Sequence, residues 1–276
     1  MLESLKKLKD ILPLKQSRIL LIGESCKDVY HYGETSRISP EGPVPIFLPN
    51  RTEIKDGMAA NVLNNLTELG QIVDFVTCNS ETPIIKERFV DEKFSSHVFR
   101  ADRNDVSEAV NLNAMSEALK RKYDAVVISD YDKGFLPPDA CSFIISHFSC
   151  PVIVDTKKRD LSCFDRENCI IKINRQEYDS LVKKCSKSII VITEGKNGAR
   201  VENKRLIDSF PTDVFDVCGA GDVFLSAMTS SILSTGDLEK SLYFANLVAS
   251  ISVKTFGNCA PRLEDISQEI ERVINV

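Results

Sequence analysis

The sequence lacks any hydrophobic run that approaches the roughly 18 residues of a membrane-spanning helix. Residues 1–12 carry leucines at helical spacing between lysines, whereas a signal peptide needs an unbroken apolar stretch. They predict an amphipathic helix packed on the domain, with binding to a lipid surface as the alternative. Internal repeats, low-complexity tracts and linkers are also absent. We therefore expect one domain over residues 1–276, a cytoplasmic location and no membrane partner.

Paired cysteines are missing as well, because none of the nine cysteines forms a C-x-x-C motif. This pattern excludes the common zinc spacings and a disulfide framework, and it suits a reducing compartment. Positive charge is not in excess, since 35 Lys and Arg residues stand against 40 Asp and Glu residues, a net charge of −5. Such a chain does not attract polyanions, so we expect no nucleic-acid partner and a local site for any anionic ligand.

Short apolar runs rich in β-branched residues alternate with amphipathic helical patterns. Runs of this kind are typical of strands buried on both faces, so the alternation predicts an α/β fold with a parallel sheet. The predicted strands are 18–23, 73–77, 125–130, 151–155, 169–174 and 189–195. The predicted helices are 59–69, 106–122, 139–148, 176–182, 220–233, 238–255 and 263–276. Residues 44–54 and 86–100 interrupt the alternation and predict a small antiparallel flap, or lid, over one edge.

A glycine turn followed by a long helical pattern is the strongest chemical signal. Gly219 and Gly221 let the backbone approach a ligand, and the N–H groups at the start of a helix favour an anion. Asp222 lies in that first turn, where a carboxylate is electrostatically favoured. An ionised base beside N–H donors suits the transfer of a phosphoryl group to an alcohol. The alternative is a helix start with a capping aspartate.

Other nucleotide-binding motifs are excluded. A Rossmann turn would need glycine where Phe224 stands, and no strand ending in an acidic residue follows about 20 residues later. A Walker A sequence and a protein-kinase glycine loop are both absent.

Four motifs resemble, in the expected order, those of the ribokinase-like (PfkB) carbohydrate kinases. Asp216 to Asp222 resembles the D-T-G-A-G-D signature of that family. The other three are Gly57 to Asn61 for the N-terminal glycine signature, Asn174 to Glu177 for N-x-x-E, and Thr193, Gly195 and Gly198 for T-x-G-x-x-G. The resemblance runs from about residue 19 to about residue 261. It implies a three-layer fold with a mostly parallel sheet flanked by helices, and a lid.

A narrower resemblance concerns the substrate. Residues 33–45 contain S-R-I-S-P-E-G-P-V-P, which resembles the N-terminal segment of D-glycero-D-manno-heptose 7-phosphate kinases. That group includes the kinase half of the bifunctional heptose kinase/adenylyltransferase. Residues 129–134 and 154–157 resemble the S-D-Y-x-K-G and D-P-K stretches of the same group.

The resemblance implies a role for each matched residue. Asp222 would be the base, with Gly219, Ala220 and Gly221 as the anion hole. Asn174 and Glu177 would hold Mg²⁺ through water beside ATP. The residues that would bind the sugar hydroxyls are Asp28, Gly57 and Asn61; those that would bind the 7-phosphate are Arg37, Arg100, Lys133 and Lys157; those beside the nucleotide are Thr193, Gly195 and Gly198. A turn or helix cap is the alternative for Asp28, Asn61, Asn174 and Glu177, and solvated surface charge for Arg37, Arg100 and Lys133.

The chain also departs from the family pattern. Met58 stands where a second glycine is usual, Cys218 where threonine is usual, and Thr156 where proline is usual. Compared with the family pattern, the chain is shorter by about one βα unit between residues 80 and 83. We expect a kinase only, without a nucleotidyltransferase half and with a trimmed sheet edge.

The expected activity is ATP- and Mg²⁺-dependent phosphorylation of the anomeric hydroxyl of the heptose 7-phosphate, giving the 1,7-bisphosphate for activated heptose and lipopolysaccharide. Two alternatives stay open: a PfkB kinase for another sugar or sugar phosphate, and a non-catalytic relative that binds sugar or nucleotide. We expect a homodimer formed through the lid, and a monovalent cation near residues 255–261 is left open.

Overall fold

The computed structural model describes residues 8, 11–78, 81–255 and 257–274. The helix predicted at the N-terminus lies mostly outside these residues, although Leu8 and Ile11 are described and are buried in the core. No helix among the described residues is long and apolar enough to cross a membrane.

A seven-stranded central sheet forms the body of the fold, in the order β11-β10-β9-β8-β7-β1-β4. Its strands are β1 (Arg18–Gly23), β4 (Ile72–Thr77), β7 (Ala125–Asp130), β8 (Val152–Thr156), β9 (Cys169–Asn174), β10 (Ile189–Thr193) and β11 (Ala199–Val201). All neighbours pair in parallel except β10 and β11. The predicted α/β class and its parallel sheet are therefore confirmed.

Helices cover both faces of the central sheet. In β1, Ile19 and Leu21 pack into one hydrophobic core while Leu20 and Ile22 pack into the other, because successive side chains of a strand point to opposite faces. The helices are α1 (Ala59–Glu68), α2 (Ser116–Leu119), α3 (Pro138–His147), α4 (Arg175–Asp179), α5 (Ala220–Thr235), α6 (Leu238–Ser252) and α7 (Leu263–Ile274). The first core takes side chains from α1, α5, α6 and α7, and the second from α3.

The expected lid is present and is larger than expected. It is a second sheet of four strands in the order β3-β2-β5-β6, which we call the lid sheet. Its strands are β2 (Ser25–Ile38), β3 (Pro45–Met58), β5 (Ile84–Asp91) and β6 (Ser96–Arg103). Two antiparallel pairs meet at a parallel β2–β5 pair. The sequence did not predict β2, although its buried and partly exposed residues alternate as in a strand with one covered face.

Two predicted helices are much shorter in the structure. Residues 106–122 contain only α2, because the N–H groups of Ser107 and Val110 donate to the carbonyls of Lys133 and Phe135, both at 2.7 Å. Residues 176–182 contain only the end of α4, and the N–H of Val182 donates to the carbonyl of Arg159 at 2.9 Å. Contacts with distant turns therefore replace the helical hydrogen bonds in both segments.

The edge strand β4 lies where the sequence predicts a shortened chain. After Thr77 the chain leaves the central sheet and enters the lid sheet at Ile84. The central sheet therefore ends at β4 on this side.

Candidate active site

Asp222 lies buried in the first turn of α5, where two side chains hold its carboxylate. Asn61 donates from Nδ2 to Oδ2 at 2.8 Å, and Tyr131 donates from its hydroxyl to Oδ1 at 2.8 Å. Burial raises the pKa of Asp222, and the charge of Asp155 adds to that rise, while the two hydrogen bonds and Lys172 oppose it. The carboxylate is thus fixed in orientation and is more basic than an ordinary aspartate.

The turn before α5 depends on glycine at position 219. Gly219 has a φ of 73°, the left-handed conformation that glycine adopts without strain. A Cβ there would lie 2.8 Å from Nδ2 of Asn61 and 2.9 Å from Oδ1 of Asn258. Of the three residues expected to form the anion hole, Ala220 already donates its N–H to the carbonyl of Val217 at 3.2 Å. Gly221 lies in the first turn, where N–H groups have no acceptor within the helix.

A buried ion pair lies beside this turn, and the sequence did not point to it. Lys172 on β9 donates from Nζ to Oδ2 of Asp155 on β8 at 2.6 Å, and both side chains are buried. A Cβ at Gly221 would lie 3.0 Å from that ammonium. Oδ1 of Asp155 is buried and has no hydrogen-bond partner among the described residues. The signal in the sequence is a lysine within an otherwise apolar buried strand, where a charge needs a partner.

The sugar-binding candidates lie together where the lid sheet meets the body. Asp28 lies on β2, five residues after the end of the first predicted strand. Its Oδ1 accepts from Arg88 at 2.9 and 3.1 Å, and its Oδ2 accepts from Asn258 at 3.0 Å. Gly57 is required here, because a Cβ would lie 2.2 Å from Oδ2 of Asp28. Arg88 and Asn258 carry no motif, so the sequence did not indicate them.

The four cations expected to bind a phosphate lie in different places. Arg37 is exposed nine positions beyond Asp28 on β2, roughly 25–30 Å away for an extended strand, so the expected convergence on the site is not found within this chain. Arg100 on β6 lies directly opposite Arg88 and forms an ion pair with Asp102 at 2.8 Å. Lys133 forms an ion pair with Asp105.

Lys157 is the fourth cation, and it lies next to the nucleotide candidates. It follows β8, forms an ion pair with Glu177, and its Nζ lies 5.6 Å from the ring centre of Tyr131. Burial disfavours the protonated form of Lys157, but the charges of Asp155, Glu177 and Asp222 outweigh burial and raise its pKa. Lys157 therefore stays charged between the base and the nucleotide candidates.

The nucleotide-binding candidates cluster at the carboxyl ends of β9 and β10. Asn174 and Glu177 form a reciprocal cap on α4. The N–H of Glu177 donates to Oδ1 of Asn174 at 2.8 Å, and the N–H of Asn174 donates to Oε2 of Glu177 at 2.7 Å. Thr193 lies opposite Asn174 in the sheet register. The turn that follows contains Gly195 and Gly198, and a Cβ at Gly198 would lie 2.0 Å from the carbonyl oxygen of Ile207. The helix cap, which the sequence analysis kept as an alternative role for Asn174 and Glu177, is thus formed. The segments that carry the nucleotide-binding candidates lie next to each other at this edge of the sheet.

Met58 is strained at the mouth of the site. It precedes α1 with a φ of 58° and a ψ of −131°, a conformation that favours glycine. Its side chain is buried against Cys26, Ile84 and Tyr131. The methionine at this position therefore fills space next to the tyrosine that contacts Asp222.

Comparison with known proteins agrees with this geometry. Residues 162–265, which include α4, β10 and the Asp222 turn, match the sequence profile described as pfkB family carbohydrate kinase. This part of the chain is therefore similar to the pfkB carbohydrate kinases. Kinases of this family transfer a phosphate group to a sugar hydroxyl, and the expected family resemblance and enzyme class are confirmed.

Curated proteins similar to this chain carry the name Bifunctional protein HldE. The protein of Nitratiruptor sp. is 29% identical and the match covers 93% of this chain and 65% of the relative. The protein of Haemophilus influenzae strain PittEE is 28% identical, with 88% and 61% covered. The chain spans less than two thirds of the length of these relatives. The Nitratiruptor alignment has 306 positions, more than the 276 residues here, so the relative contains insertions.

Solved structures similar to this chain show that it has the ribokinase-like fold. Phosphofructokinase-2 from Escherichia coli in complex with potassium has a TM-score of 0.72 at 17% identity, covering 94% of this chain and 99% of that one. Ribokinase from Arabidopsis thaliana complexed with ribose and ATP has a TM-score of 0.69 at 13% identity, covering 93% and 99%.

Proposed function

We propose that the chain is an ATP- and Mg²⁺-dependent kinase that phosphorylates the anomeric hydroxyl of D-glycero-D-manno-heptose 7-phosphate. The observation that carries the proposal is the buried carboxylate of Asp222, held by Asn61 and Tyr131 at the N-terminus of α5. A base in that position has an acceptor alcohol on one side and helix N–H groups on the other.

Asp222 takes the proton of the acceptor hydroxyl as the oxygen attacks the γ-phosphorus. An anomeric hydroxyl is more acidic than an ordinary alcohol, and burial raises the pKa of Asp222, so the two groups are better matched than in water. Asn61 and Tyr131 keep the carboxylate aimed in one direction. Alignment and charge neutralisation supply most of the acceleration.

The charge of the transferred phosphoryl group meets the N–H of Gly221 and the ammonium of Lys172. Lys172 is buried, so its charge acts through a poorly screened environment. Asp155 fixes the ammonium through the 2.6 Å contact. We assign Lys172 a role in neutralising the phosphoryl oxygens, because it lies beside the glycine turn and far from bulk solvent.

The donor set also fits Mg²⁺. One oxygen of Glu177 accepts from Asn174 and the other pairs with Lys157, so this residue acts on a hydrated ion through water. The partnerless Oδ1 of Asp155 offers the kind of oxygen that Mg²⁺ prefers. When bound, Mg²⁺ neutralises nucleotide phosphate charge. The similar E. coli phosphofructokinase-2 was solved in complex with potassium, so the effect of a monovalent cation on activity should be measured. No step of the proposed mechanism depends on such a cation.

The choice of heptose 7-phosphate as the substrate is based on the resemblance of residues 33–45 to the heptose kinases and on the cations near the lid. Arg100 and Lys133 are the candidates for the 7-phosphate, each held by one carboxylate that an incoming phosphate would displace. A kinase for another sugar is the second candidate, because Met58 fills the pocket at a position where the family usually has glycine.

A panel of acceptors in an ADP-release assay tests the substrate. It contains heptose 7-phosphate, heptose without phosphate, fructose 6-phosphate and ribose, each with ATP and Mg²⁺. We expect the highest kcat/KM with heptose 7-phosphate, and a large loss when its phosphate is removed. Preference for another sugar would contradict heptose 7-phosphate as the substrate but would not contradict the proposed kinase activity. Calorimetric binding of ATP and sugar without product would instead indicate a non-catalytic relative.

We also propose that the chain forms a homodimer through the lid sheet. We place the enzyme in the cytoplasm, in a route to activated heptose. The lid sheet has two open edge strands, β3 and β6, which can pair with a second chain. Ile38, Leu48 and Ile54 expose more than half of their side-chain surface on β2 and β3. Light scattering during gel filtration would give the mass, and a monomer at all concentrations would contradict the dimer.

A further inference from the structure

Three potential metal ligands meet where the lid sheet touches the segment before α5. His97 comes from β6, and Asp216 and Cys218 come from the loop that leads to the Asp222 turn. One donor atom of each side chain lies within 4.8 Å of the other two. Nε2 of His97 lies 3.7 Å from Oδ2 of Asp216. The cluster therefore joins two parts of the fold that the sequence separates by over a hundred residues.

The donor set is one nitrogen, one oxygen and one sulfur, which selects for a borderline-soft divalent ion such as Zn²⁺. Mg²⁺ prefers oxygen donors, so this cluster does not duplicate the nucleotide site. Zinc–ligand bonds of about 2.0–2.3 Å place tetrahedral donors roughly 3.4–3.8 Å apart. The observed spacing requires movements of roughly an ångström or less to reach that geometry.

The charges and neighbouring groups also suit a divalent ion. An ionised Asp216 and a Cys218 thiolate together neutralise two positive charges. Burial raises the pKa of the free Cys218 thiol to about 11, so its proton leaves only as the ion binds, and the guanidinium of Arg88 is already paired with Asp28 at 2.9 Å. Asp216 is held in place by the N–H groups of Cys218 at 3.0 Å and Gly257 at 2.9 Å. Backbone bonds of this kind orient a ligating carboxylate.

Access to the cluster is open on the lid side. His97 is exposed and Cys218 is half-buried, so an ion can enter from solvent. The thiol stands where the resembling kinases have threonine, so the sulfur donor is a departure of this chain from its family pattern.

We propose that His97, Asp216 and Cys218 bind one Zn²⁺-class ion, with water as the fourth ligand, and that the ion ties β6 to the loop before Asp222. On binding, the Cys218 S–H bond breaks, a Zn–S bond forms and one proton goes to solvent. No oxidant or reductant is needed. The bound ion holds the lid against the body.

Binding of Co²⁺ and of Zn²⁺ to the reduced full chain, in excess Mg²⁺, tests the site. We expect one equivalent of Co²⁺ with a thiolate-to-cobalt charge-transfer absorption, displaced by Zn²⁺. His97→Gln and Cys218→Ser each lose that equivalent and absorption. Cys150→Ser and His147→Gln, which alter the same residue types elsewhere, keep both. Circular dichroism establishes that each variant is folded.

Hydrogen exchange tests the tie between lid and body. Zn²⁺ should slow exchange in β6 of the wild-type chain and leave β6 of Cys218→Ser unchanged. Retention of the cobalt absorption in both site variants, or no stoichiometric binding by the wild type, would overturn the site. Binding without any protection of β6 would refute the tie and leave a metal site alone. These readouts do not use catalysis, so they stand apart from the proposed kinase activity.

Discussion

The central sheet and the lid sheet hold their functional groups by different means. In the central sheet the strands are short, and those inside the sheet are mostly buried on both faces, as in β7, where all six residues are buried. In the lid sheet β2 and β3 each run for 14 residues and most of β3 is exposed or partly exposed. The polar groups of the body, such as Asp222 and the Lys172–Asp155 pair, are therefore enclosed by core packing, whereas those of the lid depend mainly on paired charges such as Asp28–Arg88. The lid can open at lower cost than the body can deform.

Polar contacts join the two regions near the site, next to the apolar cluster of Cys26, Met58, Ile84 and Tyr131. Asn258 donates to Asp28 at 3.0 Å, and His97 lies 3.7 Å from Asp216. Under the proposed function, the chemistry belongs to the body, and recognition and closure belong to the lid sheet. Substitutions in the body should change turnover, and those in the lid should change binding or local stability.

The largest effect is expected from Asp222→Asn in the body. Loss of the base should lower kcat by about 10²–10⁴-fold in a steady-state assay. Because burial raises the pKa of Asp222, its ionised form destabilises the folded chain as pH rises past its ordinary value. The variant should therefore melt no lower than wild type at neutral pH. Asp213→Asn, an exposed change in the same segment, is the control. Wild-type turnover in Asp222→Asn would contradict the proposed role of Asp222 as the base.

Lys172→Met tests the second charged group of the body. We expect kcat to fall by about 10²–10³-fold, the usual cost of losing one group that stabilises transition-state charge. The change also leaves Asp155 buried without its partner, so Asp155→Asn/Lys172→Met should restore stability without restoring turnover. Recovery of kcat in that double variant would show that Lys172 serves folding alone.

Arg88→Met tests the lid. It leaves Asp28, whose side chain is 4% exposed, without its cation, which should cost about 3 kcal/mol of unfolding free energy in urea. The KM for the sugar should rise more than kcat falls. Arg103→Met breaks an ion pair on the same sheet in which the arginine is 66% exposed, and should change little. Equal effects of the two variants would contradict the buried role of Arg88.

Tyr131→Phe tests how the body tunes its base. The hydroxyl of Tyr131 stabilises ionised Asp222, so its removal should raise the pKa of Asp222 further. The proposed base acts when ionised, so the acidic limb of the kcat profile should move to higher pH. Tyr123→Phe removes a similar bond, to Asp74 at 2.9 Å, and should leave the profile in place. An unchanged profile in Tyr131→Phe would contradict this coupling.

The smallest effect concerns the junction of lid and body at Met58. Because its φ is 58°, Met58→Gly should unfold at a free energy about 1 kcal/mol higher than Met58→Ala. Inside α1 glycine is less favourable than alanine, so Ala60→Gly should lower the free energy of unfolding by about 1 kcal/mol relative to wild type. Chemical denaturation of the three variants measures both differences. A Met58→Ala variant more stable than Met58→Gly would mean that the backbone relaxes at this position.

Local patterns predicted most of the body and little of the lid. Continuous apolar runs give the parallel strands because burial on both faces leaves no polar alternation. The Gly219 to Asp222 turn was recognisable because glycine and a first-turn carboxylate act within a few residues. Residues 106–122 were predicted as a helix because their own pattern is helical, yet Ser107 and Val110 bond to another turn. The polar strand β2 was missed since a half-exposed strand has a weak signal.

Some properties of this protein are already determined by the sequence: strand and helix alternation, the carboxylate after the glycine turn, and the absence of an excess of positive charge. These depend on neighbours within one turn or one strand. The tertiary structure alone decided which distant side chains meet. Asn61 reaches Asp222 from 161 residues away, and Arg88 reaches Asp28 from 60 residues away. Such pairs depend on strand register and layer packing, which no single segment encodes, and they orient the base and hold the lid.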